Sequence, residues 1–147
     1  MDTLVEGEND AGDFVGLAID AQGVRTNFIS VAGVITTFTI PGSTDVSPTC
    51  INNLGQVAGH YTAGNQHGFF RDTDGTLTYP IDYPVTGAGT DILGLNGQGL
   101  MVGTYFPSGV LPAFVLQHRT RIPSYDPPSA ATTVIGGLNT PNMIEDD

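Results

Sequence analysis

Asn52-Asn53-Leu54-Gly55-Gln56-Val57-Ala58-Gly59 is one of three versions of the same eight-residue stretch in this chain. The first is Asn9-Asp10-Ala11-Gly12-Asp13-Phe14-Val15-Gly16, and the third is Asn96-Gly97-Gln98-Gly99-Leu100-Met101-Val102-Gly103. Successive copies stand 43 and then 44 residues apart, and a degenerate fourth start, Leu138-Asn139-Thr140, follows 43 residues later. Pro41, Pro84 and Pro127 keep a second register of the same length, and Phe28, Phe69 and Phe114 keep a looser third. A fixed period of this size means that one supersecondary unit is built several times and stacked.

The stretch has a mechanical reading. An Asn at the first turn position hydrogen-bonds its side chain to the backbone two residues on, and a Gly at the fourth adopts positive φ without steric cost. Asn9 with Gly12, Asn52 with Gly55, and Asn96 with Gly99 are therefore read as turns inside β-hairpins. Strand-forming residues flank them as required: Thr3-Leu4-Val5 and Phe14 to Ile19 around the first turn, Asp91 to Leu95 and Leu100 to Phe106 around the third. The Gly at mid-strand (Gly16, Gly59, Gly103) leaves room for a neighbouring backbone or aromatic ring to come close.

Cutting the chain at each Asn gives units of approximately 9–51, 52–95 and 96–138 within one domain, 1–147. In the second unit the expected strands are Val57 to Thr62, His67 to Arg71, Leu77 to Ile81 and Asp91 to Leu95. Ala63-Gly64-Asn65, Asp72-Thr73-Asp74-Gly75 and Pro84 through Gly89 separate them as turns. No sustained helical period with caps is present. Residues 3–9 and 132–139 are two copies of the same last strand, one more than the units need, and an uncovered end strand invites pairing with another chain.

The repeat resembles the HAF-type bacterial extracellular repeat. Its His-Ala-Phe triplet is similar to His67-Gly68-Phe69, with Pro112-Ala113-Phe114 and Thr26-Asn27-Phe28 as departures in the other units. An Ile-Asp-x-Pro element stands at Ile81-Asp82-Tyr83-Pro84 and weakens to Tyr125-Asp126-Pro127 and Thr39-Ile40-Pro41. The resemblance spans about Asn9 to Asn139. It implies an exported, propeller-like protein and implies no activity.

Composition narrows the partners. Hydrophobic residues make up 39% of the chain and charged residues 13%, a balance that supports a packed core. Fifteen acidic residues face four arginines and no lysine, and the formal net charge of −11 opposes binding to nucleic acid or anionic lipid. No apolar run is long enough to insert into a membrane. Met1-Asp2-Thr3 does not open a signal peptide, so an extracellular or cell-surface location requires a leader absent from this sequence, and a cytoplasmic one does not.

Motifs that carry chemistry are few. Walker loops, dinucleotide fingerprints, His-Glu-x-x-His and Gly-x-Ser-x-Gly are all missing. The serines mostly sit beside Pro or Gly in turns. Cys50, the only cysteine, reads as a small buried hydrophobe. His60 and His67 flank a hairpin turn and, with Thr62 opposite His67, are expected on one face as a weak ligand or metal pair. Asp72 and Asp74 resemble the opening of a calcium loop without its later ligands, and no other cofactor is implied. Tyr83 precedes a proline and is expected to be an exposed ring, a ligand-binding candidate beside His60 and His67.

The expectation is an all-β fold of three four-stranded antiparallel units, propeller-like, as a half-ring that closes by dimerisation. A β-trefoil or β-prism is the alternative closure. The function expected is a non-enzymatic extracellular module for binding or structural assembly, a homodimer or higher self-assembly joined through its end strands. A carbohydrate-binding lectin with a glycan partner, a filament-forming subunit and a propeller-type glycosidase are the alternatives.

Overall fold

Turn chemistry at Asn9, Asn52 and Asn96 does place an antiparallel hairpin at each position. The computed structural model describes residues 2–83, 85, 87–107, 112–117, 120–122, 137–138 and 144–145. Sheet I contains β1 (Asp2–Glu8), β2 (Phe14–Ile19), β3 (Arg25–Val31) and β4 (Val34–Thr36). Sheet II contains β5 (Asp45–Ile51), β6 (Val57–Ala63), β7 (Asn65–Arg71) and β8 (Leu77–Ile81). Sheet III contains β9 (Gly89–Leu95), β10 (Leu100–Phe106), β11 (Ala113–Gln117) and β12 (Thr120–Ile122). In each sheet the strands lie side by side in chain order. A short ribbon, β13 (Gly137–Leu138) with β14 (Ile144–Glu145), follows, and no helix occurs among the described residues. The protein is all-β and antiparallel.

The sheets do not begin at the asparagines. Each begins one strand earlier, so the Asn turn lies inside the sheet, between its first and second strands. The strand at Asp91 to Leu95, expected to close the second unit, instead opens sheet III by pairing with β10. By the same shift β1 is an integral first strand of sheet I and not a surplus one. A hairpin keeps its two strands in one sheet, and this outweighs a boundary drawn at the repeated residue.

All three sheets share a local distortion. The second strand's glycine pairs with the third strand's phenylalanine: Gly16 with Phe28, Gly59 with Phe69, Gly103 with Phe114. On its other side the first strand bulges, shifting register between Val5 and Gly7, between Pro48 and Cys50, and between Ile92 and Gly94. A Cβ at Gly16 or Gly103 would overlap a first-strand carbonyl oxygen and stand 2.9 Å from the Phe28 or Phe114 ring. The close approach anticipated for these glycines is therefore real.

Packing between sheets is directional. Val15 and Ile29 of sheet I meet Val57, Tyr61 and Phe69 of sheet II, with Ile40 completing the cluster. Ala58 and Cys50, from the other face of sheet II, meet Ile92, Met101, Tyr105 and Phe114 of sheet III. Each glycine–phenylalanine face is thus laid against the opposite face of the preceding sheet. The first strands β1, β5 and β9 touch in succession, and β13 continues the series against β9 and β10.

Candidate functional site

The side chain common to all three sheets is the turn asparagine, and at Asn9 and Asn52 it makes a double connection. Asn52 Oδ1 accepts the N–H of Leu54 and of Gln56, both at 3.0 Å, which shapes the turn. Its Nδ2 donates to Gln56 Oε1 at 2.8 Å and to the Asn96 carbonyl at 3.0 Å, in the next sheet. Asn9 repeats the arrangement: Oδ1 accepts from Ala11 and Asp13, and Nδ2 donates to Asp13 Oδ2 and the Asn52 carbonyl. Asn96 Oδ1 accepts from Gln98 and Leu100. Asn52 and Asn96 are buried. The result is a ladder of side-chain amides running from sheet to sheet, reinforced by Thr49 Oγ1, which donates to the Ile92 carbonyl.

Other turns of the same backbone form use aspartate. Asp20 opens one, with Oδ1 accepting from Gln22 and Val24, and Asp72 opens another. An aspartate oxygen shapes the turn as well as an amide oxygen does, but a carboxylate has no N–H to donate. At Asn9 and Asn52 the amide donor reaches the next sheet, whereas Asp20 accepts within its own turn and Asp72 accepts there and from Gln56. Sequence reasoning identified the turn role and missed the inter-sheet role, although the choice of Asn over Asp was its visible signal.

The histidines do not form a pair. β6 and β7 are joined through Gly64 alone, with Ala63 opposite Asn65, so Tyr61 and not Thr62 lies opposite His67. This register differs by one residue from the expected one, and in a strand one residue reverses the face. His60 Nδ1 reaches Asp91 of sheet III at 2.7 Å, while His67 Nδ1 reaches Asp82 at 2.8 Å on the other side of sheet II. His67 packs beside Tyr61, whose ring also meets Tyr79 edge-on. Burial, with the charge of Asp82 second, raises the Tyr61 phenol above its ordinary pKa.

Two open clefts border this region. One, of about 430 Å3, is lined by Asn65, His67, Asp82, Tyr83 and Val85. The second, of about 470 Å3, runs along β8 past Tyr79 and Asp82 to Met101 and Leu116 of sheet III.

Tyr83 is not an exposed ring. Only 5% accessible, it stacks on Tyr105 with ring centroids 3.8 Å apart and borders Phe114. Its N–H donates to Thr90 Oγ1, which folds the loop back on sheet III. Asp72 Oδ1 accepts from Thr73 N–H and Gln56 Nε2, and Asp74 Oδ1 accepts from Thr76 N–H. The Thr76 N–H, followed by its hydroxyl, lowers the pKa of Asp74. Both carboxylates thus serve their own turn. Among the described residues no three His, Cys, Asp or Glu side chains converge as metal ligands, and no helix is long and apolar enough to cross a membrane. Cys50 is buried as expected, and desolvation pushes its thiol up to about 12. Pro84, Pro127, His118, Asn139 and the tail after Glu145 lie outside the described residues.

Comparison with family models, curated proteins and solved structures gives no match.

Proposed function

We propose that the chain is a non-enzymatic β-repeat module, propeller-like in the way its sheets succeed one another, that acts in binding or structural assembly outside the cell. The observation that carries this reading is the asparagine ladder. At Asn9 and Asn52 the polar side chain that the sheets share is committed to joining one sheet to the next, whereas a repeated ligand pocket or catalytic set would repeat a side chain facing solvent. The histidines point the same way, since each ends on a carboxylate of the fold. The export expectation rests on the HAF-type resemblance.

The test is a panel of chromogenic glycosides and esters incubated with the purified protein. No turnover is expected. Hydrolysis that disappears in Asp82→Asn or Asp91→Asn would overturn the reading in favour of a glycosidase built on paired carboxylates.

A lectin is the second reading, favoured by the cleft along β8. Tyr79 exposes 38% of its surface there beside the Asp82 carboxylate, the combination of ring face and hydrogen-bond acceptor that holds a sugar. A glycan array with no signal removes it.

A further inference from the structure

The interface between successive sheets occurs twice among the described residues, and its two copies are not equally filled. Between sheets I and II, Phe38 lies on Phe69 with ring centroids 5.5 Å apart, and the Arg71 guanidinium stands 5.7 Å from the centre of the Phe38 ring. A ring capped by a cation occupies that position.

Register identifies the counterparts between sheets II and III. Leu116 lies opposite Met101 as Arg71 lies opposite Val57, and Ile81 stands 43 residues after Phe38. Both Phe38 and Ile81 are anchored on the residue that precedes the third-strand phenylalanine. Asn27 accepts the Phe38 N–H and donates to the Phe38 carbonyl, which holds Phe38 a side chain's length away from β3. Gly68 instead admits Ile81 directly into the ladder, so closely that a Cβ on Gly68 would stand 2.8 Å from the Ile81 carbonyl oxygen. The second interface therefore carries two aliphatic chains where the first has a ring and a guanidinium.

An open cleft of about 240 Å3 lies there, lined by Phe70, Asp72, Thr76, Thr78, Ile81 and Met101. An apolar cavity of about 150 Å3 holds a benzene, and pockets for drug-sized ligands begin near about 300 Å3. The cleft thus suits one substituted ring. Its walls are apolar at Phe70, Ile81 and Met101, and the charge among these residues is Asp72. Oδ1 of Asp72 is taken by the Thr73 N–H and Gln56 Nε2, while Oδ2 accepts no hydrogen bond among the described residues. A carboxylate on a chain of formal net charge −11 draws in cations and repels anions.

We infer that this cleft binds a small aromatic cation, a single ring on a short chain that ends in an ammonium or guanidinium group. The ring lies among Phe70, Ile81 and Met101, and the cation meets Asp72 Oδ2. The ligand supplies from outside the ring and cation that Phe38 and Arg71 supply from within. This inference rests on the binding reading above, and it borders the sugar cleft without using the Tyr79 ring or the Asp82 carboxylate.

NMR titration of the whole labelled chain with phenethylammonium tests it. Saturable shifts are expected at the Phe70, Thr78 and Met101 amides, with intermolecular NOEs from the ligand ring to the Met101 methyl. Phenylacetate, the same ring with the opposite charge, and butylammonium, a cation without a ring, should each bind at least about tenfold more weakly. Ile81→Phe should fill the cleft and lose the binding. Asp72→Asn keeps the turn acceptor and removes the charge, so it should lose about tenfold in affinity and bind phenethylammonium no better than phenethyl alcohol. That second variant decides the matter even if Ile81→Phe does not fold. Asp20→Asn, an equal charge change in a turn of sheet I, should bind as the parent does. No saturable shift, equal binding of phenylacetate, or undiminished affinity in Asp72→Asn overturns the proposal. A chain that fails this titration yet hydrolyses none of the chromogenic substrates leaves the module reading standing, which separates the two failures.

Discussion

Replacing Asn52 by Asp separates the two roles assigned to the ladder. The aspartate oxygen can still accept from Leu54 and Gln56, as Asp20 does from its own turn, so the hairpin survives. What disappears is the amide donor to Gln56 Oε1 and to the buried Asn96 carbonyl. Two net hydrogen bonds account for about 2 kcal/mol. A carboxylate facing a buried carbonyl oxygen without a donor adds at least about 1 kcal/mol more. We expect Asn52→Asp to lose about 3 kcal/mol near neutral pH. In urea unfolding followed by far-UV circular dichroism, that is a midpoint shift of about 1 to 2 M. The introduced carboxyl is desolvated, which raises its folded-state pKa above the unfolded value. The loss should therefore be full at neutral pH and shrink as pH falls through that raised value, when the protonated group donates again. Asp20→Asn is the control and should stay within about 0.5 kcal/mol of the parent. Equal, small effects for the two substitutions would refute the inter-sheet role of the amide.

Three further outcomes follow from other parts of the structure. Gly103→Ala should cost about 3 kcal/mol or more in the same urea assay, because its methyl would strike the Asp91 carbonyl and the Phe114 ring and the bulge leaves neither room to retreat; a loss near that of an exposed Gly→Ala would contradict the packing described. Cys50 should resist a thiol-reactive disulfide reagent in the folded state and react fully in urea, since burial holds its thiol protonated up to about 12. Rapid labelling of the native protein would place it elsewhere. Asp13 accepts from Ala32 N–H first and the Asn9 amide second, and both lower its pKa. Its contribution is present above the unfolded carboxylate value and is lost as pH falls through the lower folded one, so Asp13→Asn should flatten acid unfolding there. An unchanged acid limb would remove Asp13 from the turn.

Much of the fold was legible in the sequence because the asparagine turn is a local device. Its spacing fixed the hairpins, and the strands at Val57, His67, Leu77 and Asp91 lie within two residues of where turn chemistry put them. The errors arose where a nonlocal contact decides. The turn at Gly64 is shorter than its composition suggests, and that single residue sends His60 and His67 to opposite faces. Tyr83 follows the charged Asp82 and precedes a proline, an exposed context by local rules, yet the ring of Tyr105 on another strand captures it. Asp82 and Asp91, the carboxylates that engage the histidines, carry no local mark of that role. Strand allocation failed for a simpler reason: a period can be cut anywhere, and only the pairing shows where a sheet begins.

The most direct probe of the stacked-sheet account is hydrogen exchange at the asparagine side-chain amides, read by 15N NMR. The Asn52 Nδ2 protons should exchange as slowly as the core backbone amides of β6 and β9, because they are held between two turns of neighbouring sheets. Exchange of Asn52 at the rate of an exposed glutamine would mean that sheets II and III are not joined there, and the ladder would be lost with the reasoning built on it.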